Sequence, residues 1–171
     1  MIHSEKKLND LSSVINKGNN KTIINAIESL RDELPFEGAI ALLTSLYDRT
    51  EDLSVRKSIE GFMNDLKDQT ASVEIINEIR KELRTETKSM LVASCWQSGL
   101  DYSAYSADFA RTFLKSDYVG AVECLTVIEE SANELSAEKK EEIRKIIKDN
   151  PLSPRNEIVV LITELISILD R

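Results

Sequence analysis

Residues suited to starting helices recur along this chain at a nearly constant interval. Thr70, Ser103 and Ser136 lie 33 residues apart, and Asn20, Asp52, Thr85 and Asp117 form an interleaved series spaced 32, 33 and 32. Each has a short side-chain oxygen that can accept from an orphan N–H in a helix's first turn, and each precedes apolar residues at helical spacing. Two series sharing one period describe one unit, a pair of helices, repeated about five times.

The apolar pattern predicts ten helices joined by short loops. The first runs from about Ser4 to Asn16, and the second carries Ile23, Ile24, Ile27, Leu30 and Leu34. Pro35 fits the first turn of the third, which presents Ile40, Leu43, Leu46 and Tyr47. Val55, Ile59, Phe62, Met63 and Leu66 mark the fourth, and Val73, Ile76, Ile79 and Leu83 follow Thr70 in the fifth. Leu91, Val92, Cys95 and Trp96 follow Thr85; Phe109, Phe113 and Leu114 follow Ser103; Val122, Leu125, Val127 and Ile128 follow Asp117. A charged ninth helix after Ser136 buries only Ile143, Ile146 and Ile147, and Ser153-Pro154 opens the tenth as cap and first-turn proline. Shifting the chain by one period superposes Ile59, Val92 and Cys124, then Phe62, Cys95 and Val127, then Met63, Trp96 and Ile128. Such a repeat, made only of helices, is the signature of an α-solenoid; a compact bundle of irregular helices is the alternative.

Composition agrees with a helical domain. With 5 Gly and 3 Pro in 171 residues there is little material for hairpins, and 42% hydrophobic residues argue against disorder. The net charge of −8 speaks against a nucleic-acid scaffold, which needs clustered cations to displace counterions from phosphates. The apolar runs Ala39 to Leu43 and Ile158 to Ile162 are far shorter than the ~20 residues that span a bilayer. No apolar stretch follows the polar start His3-Ser4-Glu5, and Cys95 and Cys124 make no disulfide framework. The expected setting is cytoplasmic, with no membrane contact.

The stretch from Leu46 to Arg56 resembles the turn of a HEAT repeat. In that family a leucine-rich first helix ends in an acidic turn and the second opens with Asp-x-x-Val-Arg, matched here by Asp52, Val55 and Arg56. The resemblance implies that Asp52 and Arg56 tie neighbouring turns together and have a structural role. Later units depart from the motif: Thr85 is followed by Lys88-Ser89 and Asp117 by Gly120-Ala121. The fold expected is therefore all-α, a right-handed α-α superhelix (a HEAT-like solenoid) of about five antiparallel helix pairs, one domain over 1–171.

Residues for catalysis are scarce. His3 is the only histidine and lies near the terminus, which removes most His-based acid–base chemistry and zinc ligation. Cys95 and Cys124 fall at core positions with no partner at ligand spacing, so buried inert thiols are expected. The glycines are isolated and form no phosphate loop. No catalytic residue, cofactor or metal is assigned, and Glu129-Glu130 and Glu141-Glu142 are expected to lie on solvated faces.

Two regions stand out as candidate contact surfaces. Six of the nine aromatic residues fall between Trp96 and Tyr118, where acidic residues outnumber basic ones, a setting suited to a basic or amphipathic peptide. Trp96, Phe109 and Phe113 are expected in the core. Tyr102 and Tyr105 bracket Ser103 and are expected to be exposed, forming a contact patch with Asp101 and Asp108. The C-terminal helix is apolar almost all round, from Ile158 to Leu169. It either tucks under its neighbour with two faces covered or meets another chain, most simply a second copy in a homodimer. The expected function is a non-catalytic interaction or scaffolding module for an unknown protein or peptide. The alternatives are a HEAT-like enzyme or nucleic-acid-processing protein with an unrecognised pocket, and a self-assembling structural protein.

Overall fold

The computed structural model describes residues 4–33, 36–151 and 157–171. Among these the chain forms ten α-helices and two short 3-10 turns, with no strand, and is all-α. No described helix is long and apolar enough to cross a membrane. The chain divides into two compact units, Met1–Leu100 and Asp101–Arg171.

The first unit holds α1 (Glu5–Lys17), α2 (Asn20–Arg31), α3 (Ala39–Arg49), α4 (Leu53–Asn64), α5 (Ala71–Ile79) and α6 (Thr85–Ser98). Each helix packs on its chain neighbour within a pair and on the helix two positions away: α1 on α3 on α5, and α2 on α4 on α6. In the second unit, α7 (Ser106–Phe113) packs on α8 (Tyr118–Ser131) and α9 (Ala137–Asp149), while α10 (Val159–Leu169) packs on α8 and α9.

Burial follows the repeat register. Ile59, Val92 and Cys124 are 1% exposed or less, and Phe62, Cys95 and Val127 are 4% or less. The third set breaks the rule: Met63 and Ile128 are fully buried, but Trp96 is 40% exposed, contrary to the expectation of a core residue. An indole is larger than the methionine or isoleucine that fill this site elsewhere, so a slot sized for them does not enclose it. Val73 is likewise exposed rather than core, because the buried stripe of α5 runs through Ala71, Ser72, Ile75, Ile76 and Ile79. Cys95 and Cys124 are both buried.

Helix starts match the predicted caps in part. Asp52 accepts from the N–H groups of Ser54 and Val55 (3.0 and 2.9 Å), Asp117 from Gly120 (2.9 Å) and Ser136 from Lys139 (3.4 Å). Elsewhere a neighbour takes the role. Asn19, not Asn20, caps α2 through Thr22 N–H. Asp68 receives the N–H and hydroxyl of Thr70, whose own side chain does not cap α5. Thr85 is already inside α6, and the preceding Arg84 N–H is met by Asp48 at 3.0 Å. Pro35 and Ser153-Pro154 lie outside the described residues.

Polar ties between turns repeat with the same period. In the first unit Asn20 donates to Asp52 (2.6 Å), Asn64 to Gln97 (2.7 Å), Arg84 to Glu51 (2.7 Å), and Arg31 pairs with Asp65. In the second, Lys139 donates to the Ser103 carbonyl at 3.0 Å. All of these link residues 32 to 36 apart, one repeat along the chain. Arg56 adds a local clamp: its Nε donates to the Thr50 carbonyl (2.8 Å) and its guanidinium lies 5.1 Å from the Tyr47 ring centroid. The Tyr47 hydroxyl in turn donates to Glu60 at 2.7 Å.

The start of α3 is built by two other helices. Gly38 has φ +87°, a backbone conformation that favours glycine, and a Cβ there would press on Leu8 Cδ1 of α1 at 2.9 Å, a side-chain end that has to shift. Lacking a side chain to cap its helix, Gly38 donates its N–H to Glu74 of α5 at 2.8 Å. Burial, with Glu37 and Glu78 nearby, pushes the Glu74 carboxyl above its ordinary value, against the opposing pull of the Gly38 and Ile40 N–H groups.

Asp52→Ala is expected to cost about 1–2 kcal/mol in urea unfolding, because two first-turn N–H groups lose their acceptor. Leu53→Ala, at a side chain 78% exposed, should change stability by less than about 0.5 kcal/mol. Glu74 supplies a pH signature. Its raised folded-state value means the folded chain holds this proton more tightly, so its contribution to stability falls as pH rises from the ordinary carboxylate value through the raised one. Glu74→Gln keeps an acceptor for Gly38 without the charge. Its stability relative to the parent should therefore be greater at pH 7 than at pH 4, and a difference independent of pH would contradict this account.

Candidate functional site

The predicted contact patch takes a different form in the structure. A 3-10 turn over Ser103–Tyr105 precedes α7, and Ser103 does not cap the helix. Asp101 takes that part, accepting from the Ser103 N–H at 2.8 Å. The backbone N–H and hydroxyl of Ser103, with Lys139 adding a smaller effect, hold the Asp101 carboxyl below its usual range. Asp101 is exposed, and Tyr105 and Asp108 are half-buried.

Tyr102 corrects the expectation of an exposed pair. It is 2% exposed, and its ring meets Phe109 edge-on, with centroids 6.0 Å apart and planes at 85°. The signal was present in the spacing. Tyr102, Phe109 and Phe113 stand at i, i+7 and i+11, a spacing that hints at a shared face. Tyr102 nevertheless lies before the 3-10 turn and outside α7, so it is the turn that brings its ring onto Phe109. The patch is thus reduced to Asp101, Tyr105 and Asp108.

The C-terminal helix is largely covered within its own unit. Ile158, Leu161, Leu165, Ile168 and Leu169 are buried, Val159, Ile162 and Ile166 are half-buried, and Val160 remains 68% exposed. These buried residues lie along one side of α10, which packs on α8 and α9, and Val160 stands on an uncovered side.

The concave surface that sequence reasoning missed lies in the first unit. A cavity of about 380 Å³ opens where α2 and α4 end, with Leu30, Phe62 and Leu66 as apolar lining and Arg31, Glu33, Asp65, Lys67 and Asp68 around them. A second cavity of about 250 Å³, between α1 and α2, shares Leu30 and Glu33 and adds Leu11, Val14, Ala26 and Phe36, with Lys7, Asp10 and Ser29. The two cavities adjoin at Leu30 and Glu33, making a trough of two apolar hollows with side chains of both charges around them. Phe62 and Leu66 are each only 4% exposed and so give the larger cavity a firm floor. The trough was not legible in the sequence because Leu11, Leu30 and Phe62 belong to three helices and read singly as core residues.

Among the described residues neither cavity is lined by a histidine or cysteine. Among the described residues no group of three His, Cys, Asp or Glu side chains is arranged to hold a metal ion. The two hollows offer apolar contact area ringed by side chains of both charges and by the C-termini of α2 and α4. The sequence matches no protein-family model, and comparison with curated proteins and with solved structures gives no match.

Tyr102→Ala is expected to lower stability by about 3 kcal/mol in urea unfolding, the usual cost of deleting a buried aromatic ring. Tyr105→Ala should cost clearly less. Equal, small losses at both positions would show that the Tyr102–Phe109 contact contributes little.

Proposed function

We propose that this chain is a non-catalytic protein-interaction or scaffolding module, built as a right-handed HEAT-like solenoid of about five helix pairs and working in the cytoplasm. The observation that carries the reading is the one-repeat spacing of the polar ties, from Asn20–Asp52 to Lys139–Ser103. They accompany packing of each helix on the helix two positions away within each unit, the neighbour rule of stacked repeats. Asp52, Val55 and Arg56 support the family resemblance: the first caps α4 and reaches Asn20, the second is buried, and the third clamps the turn. A stack of this kind presents contact side chains on a rigid frame, so little conformational entropy is lost on binding. The buried thiols suit a reducing compartment.

A homodimer through α10 is a second reading, favoured by the apolar stripe of Val159, Ile162 and Ile166 beside the exposed Val160. One experiment separates the two. The intact chain, immobilised in native lysate, is expected to retain a partner that, once purified, binds it saturably in calorimetry. The same chain should sediment as a monomer. Retention of nothing but itself, with a dimer that Val160→Glu dissociates, would replace the interaction reading with self-assembly.

A further inference from the structure

The trough over α1, α2 and α4 is specific enough in shape and charge to name the chemistry of its occupant. We propose that it receives a basic segment of a partner protein, which places one bulky apolar side chain in the larger cavity with a lysine or arginine beside it. This rests on the interaction-module reading and assigns that reading a site.

Shape comes first. The larger cavity, about 380 Å³, lies within the range of cavities that enclose small ligands, about 300–1,000 Å³. Phe62 and Leu66 form a floor that a bulky apolar side chain covers, and Leu30 continues it toward the second cavity, so a segment longer than one residue has apolar surface to follow. Two cavities joined side by side suit an extended or helical peptide better than a compact metabolite.

Charge selects the sign of the segment. Around the two cavities three cations (Lys7, Arg31 and Lys67) stand against four acids (Asp10, Glu33, Asp65 and Asp68). The ion pairs Arg31–Asp65 and Lys7–Glu33 each engage one cation and one acid, so the rim carries one net negative charge. The C-termini of α2 and α4, at Arg31 and Asn64, add the partial negative charge of their last carbonyls. Asp68 is held in its ionised form by the Thr70 hydroxyl and N–H. Beyond the rim, the net charge of −8 draws in a cationic partner and repels an acidic one, a second copy of this chain included.

The test is an NMR titration of the ¹⁵N-labelled full chain with the capped peptide Ser-Gly-Lys-Phe-Arg-Gly-Ser, alongside Glu-Phe-Glu and Lys-Ala-Arg versions. Saturable amide shifts are expected around Leu30, Phe62 and Leu66 for Lys-Phe-Arg, weakening as salt rises. Both control peptides should bind at least about tenfold more weakly, a difference of about 1.4 kcal/mol. Glu33→Lys reverses an exposed charge shared by both cavities and should weaken Lys-Phe-Arg to the same degree; Asp10→Lys repeats the test at a second exposed acid. The proposal is overturned if Lys-Phe-Arg does not bind, if Glu-Phe-Glu binds equally well, or if the shifts centre on Asp101 to Asp108. A lysate partner that binds Glu33→Lys as tightly as the parent would also sink this site, while leaving the interaction-module reading intact. Peptide binding at Phe62 with no partner recovered from lysate would support the trough and count against the broader reading.

Discussion

Every helix in the first unit buries its apolar stripe against helices one and two positions away, and that requirement governs the rest. Helices stacked at a fixed offset must keep their apolar residues in the same register from one pair to the next. The sequence obeys this at Ile59, Val92 and Cys124 and again at Phe62, Cys95 and Val127, all buried. Burial of side chains this size is worth about 1.5–3 kcal/mol each. It therefore outweighs the exposed polar ties, each worth about 1 kcal/mol or less.

The ties nevertheless have a clear task. A stripe of leucines and isoleucines tolerates sliding, since any apolar neighbour of similar size fills the space. Asn20 with Asp52 or Asn64 with Gln97 tolerates little, because a hydrogen bond at 2.6–2.7 Å is lost with a small displacement. Directional contacts at the ends of helices fix the offset that the core leaves loose. The start of α3 shows the same division of labour: Leu8 fills the space that a side chain at Gly38 would need, and Glu74 from α5 supplies the cap that glycine cannot. Three helices meet at one residue, and the cost of the partly buried Glu74 carboxylate is accepted there.

The candidate surfaces follow from where this packing stops. The trough forms because α2 and α4 end near one another, leaving Leu30 half-buried above narrow exposed edges of Phe62 and Leu66. Its rim is charged because helix ends carry the polar residues that cap and pair there. The apolar floor and the charged rim are thus products of the same stacking that builds the fold.

From the chain alone came the number and order of the helices, the period, the buried thiols and the caps at Asp52, Asp117 and Ser136. These depend on local rules, since helical spacing and first-turn hydrogen bonds involve residues within a few positions of each other. The tertiary structure decided what depends on distant neighbours. Ser103 and Thr70 cap no helix; their own N–H groups go to Asp101 and Asp68 in the turns ahead of α7 and α5, an outcome that propensity does not settle. Tyr102 went into the core because Phe109 lay in line to meet its ring, and Trp96 stayed at the surface in a position where its repeat equivalents are buried. The trough belongs to the same class. A stripe on one helix says which side is buried, but the gap between two helix ends exists only once a third and fourth helix have fixed how far apart they stand.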